Sequence, residues 1–257
     1  MSNTAGLIRQ KIIRPIADFL ARGGRQSRRV SAILRACRDE NPCGLMVCPI
    51  CRDNQLQPFR QHLKAFLTQY PIITWMTAVL TQADLRQANL GQVIPHAVLR
   101  RFRMMLRRAG LSHHQIVGIL EADWSEASRF WEPHLHLFIV GPRPATAALN
   151  DWLKETDPYN GNPPKGVYRP IHAVELTDHA TISAKVDYAT KFHAHRKWVY
   201  YKGGKATAKK GRLRGTKLRN AMRWLAHPMR DFVFLQGVAL DSNGFRLLSR
   251  KPPKTSI

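Results

Sequence analysis

Residues 131–140 place two histidines inside an apolar segment whose alternation predicts a β-strand. Side chains alternate between the two faces of a strand, so His134 and His136 should share one face, about 7 Å apart at the backbone. Leu135 should then face the core. Because two imidazoles on a rigid strand can supply half of the ligands of a divalent metal ion, this segment predicts a metal site on a β-sheet.

The spacing alone is a weak indicator, because the chain has 11 histidines and a second His-x-His pair occurs at His193 and His195. The second pair falls in a segment with a helical pattern, where side chains two positions apart diverge. The strand context therefore favours His134 and His136 as the metal ligands.

The composition indicates a polyanionic partner. The chain has 41 Lys and Arg against 17 Asp and Glu, a formal net charge of +24, and 44% of its residues are hydrophobic, which predicts a basic folded protein. The basic residues are spread along the sequence, and this favours nucleic acid over a membrane surface. We find no apolar run long enough to cross a membrane and no signal-peptide pattern, so we expect a cytoplasmic protein.

All four cysteines fall between residues 37 and 51. In a reducing compartment such a cluster indicates a structural Zn²⁺ held by thiolates rather than disulfides. Cys48 and Cys51 have the close spacing of a zinc knuckle, whereas Cys37 and Cys43 are more widely spaced than usual. Four unconnected thiols are the alternative interpretation.

The order of predicted elements defines the fold class. A basic, partly helical arm over residues 1–36, with an apolar stripe of isoleucines, precedes the cysteine segment and a helix over 56–69. The pattern then predicts strands over 72–81, 115–122, 134–140 and 168–176, and helices over 96–108, 146–154 and 181–197. Only a loop separates the second and third strands, which indicates an antiparallel hairpin.

This β-α-β-β-α-β order is typical of a split βαβ fold of the RRM or ferredoxin-like kind. We therefore expect an α+β protein with an antiparallel sheet, helices on one face, and the other face open for chemistry. The predicted division is a basic arm with the cysteine segment over residues 1–69, a catalytic domain over 70–197 and a basic extension over 198–257.

A carboxylate is expected to complete the metal site. Glu121 lies in the apolar second strand, where an unpaired carboxylate is costly unless it binds a cation. If the hairpin register places it beside the histidines, the three side chains form a His₂-carboxylate set. Glu132 is a competitor on the face of His134. We prefer Glu121 because its strand is more regular; a salt bridge is the alternative role for either.

Tyr188 and Lys191 are three residues apart in the helix predicted over 181–197, so they should share a face. A phenol has a pKa near 10 but becomes a usable nucleophile near a metal-polarised phosphate and an ammonium group. A tyrosine that caps the core beside a solvated lysine is the alternative. Tyr200 and Tyr201 are competitors, although base stacking is their expected role.

A basic stretch punctuated by glycines follows these tyrosines, and we expect it to bind phosphates that flank the reacting strand. A flexible loop is compatible with that role. Its cationic residues are Lys202, Lys205, Lys209, Lys210, Arg212, Arg214, Lys217 and Arg219.

In this order, the strand over 72–81, the Glu121 strand, the Pro-His-Leu-His run ending at His136 and the segment from Tyr188 to Lys191 resemble the HUH endonuclease superfamily. Within it, the chain is most similar to single-tyrosine rolling-circle replication initiators of bacterial plasmids and phages. The resemblance covers residues 72–192, and the cysteine segment also resembles the start of some plasmid initiators. The first motif departs from the family pattern because it has few polar residues.

The resemblance implies that His134, His136 and Glu121 bind Mg²⁺ or Mn²⁺, that Tyr188 is the nucleophile and that Lys191 is its electrostatic helper. It also implies nicking and rejoining of single-stranded or hairpin origin DNA through a 5′-phosphotyrosine. The sequence contains no Walker A motif, so we expect a host helicase as partner. A relaxase or transposase of the same superfamily, or a non-enzymatic zinc-dependent DNA-binding protein, are the alternatives.

Overall fold

A computed structural model describes residues 2–80, 89–126, 129–155, 171–192, 194–202 and 205–248. Three helices come first: α1 (Ser2–Ala21), α2 (Arg25–Ala36) and α3 (Pro49–Leu67). They are followed by β1 (Ile73–Val79), α4 (Pro95–Arg108), β2 (Ile116–Ser125), β3 (Phe130–Val140), α5 (Ala147–Glu155), β4 (Ile171–Leu176) and α6 (His179–Ala189). The remaining elements are β5 (Arg196–Lys202), β6 (Lys205–Gly211), α7 (Gly215–Trp224), β7 (Val233–Gln236), β8 (Val238–Asp241) and β9 (Gly244–Leu247).

The central sheet has the strand order of a split βαβ fold. The strands β4, β1, β3 and β2 are neighbours in that order, and each pair is antiparallel. This confirms the predicted α+β class. The sheet is larger and more mixed than predicted, because β5 pairs in parallel with one end of β2, β6 pairs with β5, and β7 pairs with the other end of β2. The strands β8 and β9 form a separate hairpin.

The two faces of the sheet have different neighbours. A Cβ added to Gly118 would lie 3.1 Å from Cβ of Phe234 in β7, and the ring of Phe102 from α4 packs edge-on against Phe234 at 5.5 Å. Helix α4 therefore covers the face that carries Gly118. Glu121 is three residues further along β2, so it lies on the opposite face. That face meets α6, whose Tyr188 contacts the ring of Trp75 in β1, so the prediction that the helices lie on one face only is wrong.

The prediction of a helix over residues 181–197 is wrong beyond its first half, because α6 ends at Ala189 and β5 begins at Arg196. The Thr190 hydroxyl donates to the carbonyl of Val186, a local bond that competes with helix continuation. Phe192 then adopts a left-handed φ of +48° and buries its ring against Phe232, at a centroid distance of 5.8 Å. His195, of the second histidine pair, is therefore not helical as predicted, because it precedes β5; His193 lies outside the described residues.

The basic stretch forms a strand and a helix, although its composition was also compatible with a flexible loop. Its first part forms β6, which pairs with β5 over seven residues, and its last part forms α7. Buried or half-buried carboxylates hold it: Lys210 Nζ lies 2.8 Å from Asp123, and Lys217 Nζ lies 2.9 Å from Glu126. Asp123 lies at the end of β2 and Glu126 directly follows it, far from the basic stretch in the sequence, so local composition could not reveal the pairing.

The N-terminal helices have a small core of their own. Buried apolar side chains of α1 and α2, among them Ile13 and Leu34, pack with Cys37, Cys48 and Cys51. The predicted isoleucine stripe, which included Ile8, Ile12, Ile13 and Ile16, is only partly correct: Ile13 is buried, whereas Ile12 is 44% exposed. Within the ranges described above, no helix combines the length and apolar character needed to cross a membrane.

Candidate metal centre and its tyrosine

The hairpin of β2 and β3 brings a carboxylate to the paired histidines. Glu121 lies directly across from His134 in the register, and its Oε2 is 3.6 Å from Nε2 of His134 and 3.3 Å from Nε2 of His136. All three side chains are buried. Glu132, the competitor, instead forms an ion pair with Lys197 at 3.2 Å. The geometry therefore favours Glu121 as the third metal ligand.

Hydrogen bonds on the far side of each imidazole set its orientation. Nδ1 of His134 lies 3.1 Å from the carbonyl oxygen of Glu132, and Nδ1 of His136 lies 3.2 Å from the hydroxyl of Thr77. A proton on Nδ1 that is donated to these oxygens leaves the Nε2 lone pair for a metal ion. The indole of Trp75 stacks on His136 at a centroid distance of 5.0 Å and holds its ring plane. Both Nε2 atoms consequently face Glu121.

The charges within this group are coupled. Burial raises the pKa of Glu121, but the two imidazoles outweigh it and bring the pKa to about 2. Burial lowers the pKa of His134, but Glu121 and Asp123 raise it above its ordinary value. In His136, burial and the charge of His134 keep the pKa low. A metal ion would compete with the proton on His134, so metal affinity should decrease as the pH falls.

Two buried atoms of this group make no hydrogen bond within the described part of the chain: Oε1 of Glu121, and Nε2 of His136, which lies 3.3 Å from Oε2 of Glu121. Leaving a buried polar atom unsatisfied costs about 1–3 kcal/mol. The donor atoms of Glu121, His134 and His136 all lie within 4.8 Å of one another. One divalent cation would satisfy both atoms at once, so these residues fit a metal site with two nitrogen ligands and one oxygen ligand.

A cavity of about 540 Å³ opens beside the two histidines, and Tyr188 lines it. The centre of the Tyr188 ring lies 5.3 Å from that of His136, and the side chain is 41% exposed. The phenol is thus both accessible and close to the candidate metal ligands. Lys191 follows the end of α6, and its Nζ lies 5.4 Å from the centre of the Tyr188 ring. The structure therefore brings Tyr188 and Lys191 together beside the histidines, and the roles of nucleophile and helper that the family resemblance implied stay predictions.

Other charged groups line this cavity. Lys185 of α6, Lys197 of β5 and Asp123 of β2 were not among the residues predicted from the sequence, whereas Lys210 of β6 was predicted only as a DNA-binding residue. Asp123, which binds Lys210, also accepts a hydrogen bond from the backbone N–H of His195 at 3.0 Å. The signal for Asp123 was present, because it lies two residues after Glu121 on the same strand and so shares its face.

Six of the eight predicted DNA-binding residues fall into two groups. Lys209, Arg212 and Arg214 have exposed side chains, as phosphate contacts require. By contrast, Lys210 and Lys217 are ion-paired, and the guanidinium of Arg219 lies 5.0 Å above the ring of Phe19 in α1. Lys202 lies in β5 and Lys205 in β6. DNA contact by these residues remains a prediction.

The four cysteines converge as the zinc prediction requires. Sγ of Cys51 lies 3.5 Å from Sγ of Cys37 and 3.7 Å from Sγ of Cys43, and all four sulfurs lie within 4.8 Å of one another. Ligands of a tetrahedral Zn²⁺ with Zn–S bonds of about 2.3 Å would be separated by about 3.8 Å. The hydrogen bond between Cys43 and Cys48 lowers the pKa of Cys48 and raises that of Cys43. The cluster fits a structural zinc site.

We expect the purified protein to contain about one zinc ion per chain in this cluster. Cys48→Ser should lower the melting temperature more than it lowers the rate of any reaction at the cavity, because the cluster belongs to the separate core of α1 and α2. Elemental analysis and thermal melts of the reduced protein measure both effects. Absence of zinc together with rapid titration of all four thiols would favour unconnected thiols.

No protein-family model matches this chain, and comparisons with curated proteins and with solved structures also found no match. The interpretation of the site therefore depends on the geometry of its own residues.

Proposed function

We propose that this protein is a metal-dependent DNA endonuclease of the HUH type that cleaves and rejoins single strands through Tyr188. One observation carries the proposal: an accessible tyrosine lies beside a buried Glu-His-His group, with its ring centre 5.3 Å from that of His136. A divalent metal and a phenol at one cavity are the two components that phosphodiester transesterification needs.

In the proposed reaction, Tyr188 Oη forms a bond to the scissile phosphorus while the bond from phosphorus to the 3′-oxygen breaks. The phenol loses its proton and the 3′-oxygen gains one, which yields a 5′-phosphotyrosine and a free 3′-hydroxyl. A bound Mg²⁺ or Mn²⁺ would offset the negative charge of the transition state. Because one phosphodiester bond replaces another, the step is reversible and allows rejoining.

The charge and the cavity support single-stranded DNA as the substrate. A net charge of +24 favours a polyanion, and lysines from three elements line the cavity. An in-line attack also needs a backbone that has left the duplex stack. We infer that the strand belongs to a replication origin, in single-stranded or hairpin form, and that a host helicase unwinds the adjacent duplex. A relaxase or transposase would use the same residues on a different DNA site.

The cysteine cluster also suits a non-enzymatic zinc-dependent DNA-binding protein. That alternative does not account for the carboxylate and imidazole atoms that are buried without a hydrogen bond beside Tyr188. Each buried polar atom without a hydrogen bond lowers the stability of the fold, and a protein that only binds DNA gains nothing from such atoms in return.

The test is incubation with a library of labelled single-stranded and hairpin DNA in Mn²⁺, followed by denaturing electrophoresis. We expect a labelled species of the mass of protein plus DNA that forms in Mn²⁺ and fails to form in excess chelator. Sequence-specific binding without strand cleavage would support the non-enzymatic alternative. Cleavage without an adduct would indicate that water is the nucleophile.

A further inference from the structure

Helix α3 connects the two candidate metal sites. Cys48 precedes its first residue and Cys51 lies in its first turn, so the cysteine cluster anchors its N-terminal end. Its later turns lie against α6, the helix that carries Tyr188. Sequence analysis gave α3 no function.

Arg60 of α3 binds the end of α6 with two hydrogen bonds. Its Nε donates to the hydroxyl of Thr190 at 2.6 Å, and its Nη2 donates to the carbonyl of Thr190 at 2.7 Å. Thr190 is fully buried and lies two residues after Tyr188. The guanidinium is a rigid, planar donor, and a cation near a helix C-terminus also interacts favourably with the helix dipole. The contact therefore fixes both the place and the direction of this helix end.

A second contact holds the residue that precedes the tyrosine. Lys64, one turn after Arg60, places its Nζ 2.8 Å from the carboxylate of Asp187. This pair is largely exposed and contributes at most about 1 kcal/mol. The bonds of Arg60, which end on the buried Thr190, are thus the stronger of the two constraints, and together the two contacts hold α6 on both sides of Tyr188.

The tyrosine itself has little packing to hold it. Its side chain is 41% exposed, and its ring contacts Trp75, His136 and Lys191. The position of its hydroxyl therefore depends mainly on where the end of α6 lies. A displacement of about 1 Å in a reacting group can reduce a rate on the order of 100-fold.

We propose that Arg60 is a positioning residue for Tyr188: it fixes the end of α6 so that the phenol stays beside His136. Its effect on catalysis rests on the proposed function, whereas its effect on the position of Tyr188 does not. The first test is therefore spectroscopic and needs no DNA.

In protein labelled with ¹⁵N and ¹³C at histidine, the His136 ring signals report the ring current of the adjacent tyrosine. Tyr188→Leu gives the signal position without that ring, and His136→Gln assigns the signal. Arg60→Met should shift the His136 signal toward its position in Tyr188→Leu and change the His134 signal less. Arg52→Met is the matched control, because Arg52 lies on the same helix and pairs with its neighbour Asp53. A His136 signal that Arg60→Met leaves unchanged overturns the proposal.

The second test measures single-turnover cleavage at saturating DNA. Arg60→Met should lower the rate about 10- to 100-fold, with the Kd for DNA unchanged within about twofold because binding depends on many phosphate contacts. Arg60→Lys keeps the charge without the planar donor and should recover part of the rate. If Arg60→Met fails to fold, Thr190→Val replaces it in both tests; it keeps the side-chain shape and removes the bond from Arg60 Nε together with the bond from the Thr190 hydroxyl to Val186.

Normal cleavage in Arg60→Met and Thr190→Val would overturn the catalytic role of Arg60. If the wild-type protein forms no adduct with any DNA, the proposed function fails, and the histidine signals still show whether Arg60 positions Tyr188.

Discussion

Tyr188→Phe is expected to abolish strand cleavage and the covalent DNA adduct, with a loss on the order of 10³-fold or more, because the substitution removes the attacking atom. Shape and ring contacts with His136 and Trp75 are kept, so metal content and DNA affinity should stay near wild type. Denaturing electrophoresis measures cleavage and adduct, and fluorescence anisotropy measures binding.

The other tyrosines near this part of the chain provide the control. Tyr200→Phe and Tyr201→Phe should retain the adduct and weaken DNA binding at most. Peptide mapping of the trapped adduct identifies the modified residue. A phosphotyrosine at position 200 or 201, together with an active Tyr188→Phe variant, would contradict the assignment of the nucleophile.

Loss of the candidate metal ligands should have the second large effect. Glu121→Gln and His136→Ala are each expected to reduce cleavage at least about 100-fold, because metal ligands stabilise the charge of the transition state. Calorimetric titration with Mn²⁺ should show weakened binding in both variants. DNA affinity should change only a few-fold, since it rests on many phosphate contacts.

Glu132→Gln is the matched control for Glu121→Gln. It makes the same chemical change on the same face of the sheet, at a side chain that pairs with Lys197, and it keeps the backbone carbonyl of Glu132 that contacts His134. It should retain Mn²⁺ binding and most of the cleavage. Near-normal cleavage by Glu121→Gln and His136→Ala, or by the wild type in excess chelator, would exclude a metal-dependent reaction at this site.

Much of the site follows from short-range sequence pattern. Alternation along 131–140 is enough to place His134 and His136 on one face, because side-chain direction in a strand depends only on residue parity. Likewise, all four cysteines fall within residues 37–51, and the start of α3 brings Cys48 and Cys51 within one helical turn of each other, so the four thiols cannot lie far apart. The strand order of the central sheet follows from the order of predicted elements, since few connections are compatible with β-α-β-β-α-β.

Other features depend on contacts between residues far apart in the sequence. Glu121 rather than Glu132 joins the histidines because the hairpin register pairs it with His134, and Lys197 neutralises its competitor. The end of α6 is held by Arg60, which precedes Thr190 by 130 residues. Periodicity within a segment carries no information about such partners. They are specified by how helices and strands pack, and that packing is what places Tyr188 beside the candidate metal ligands.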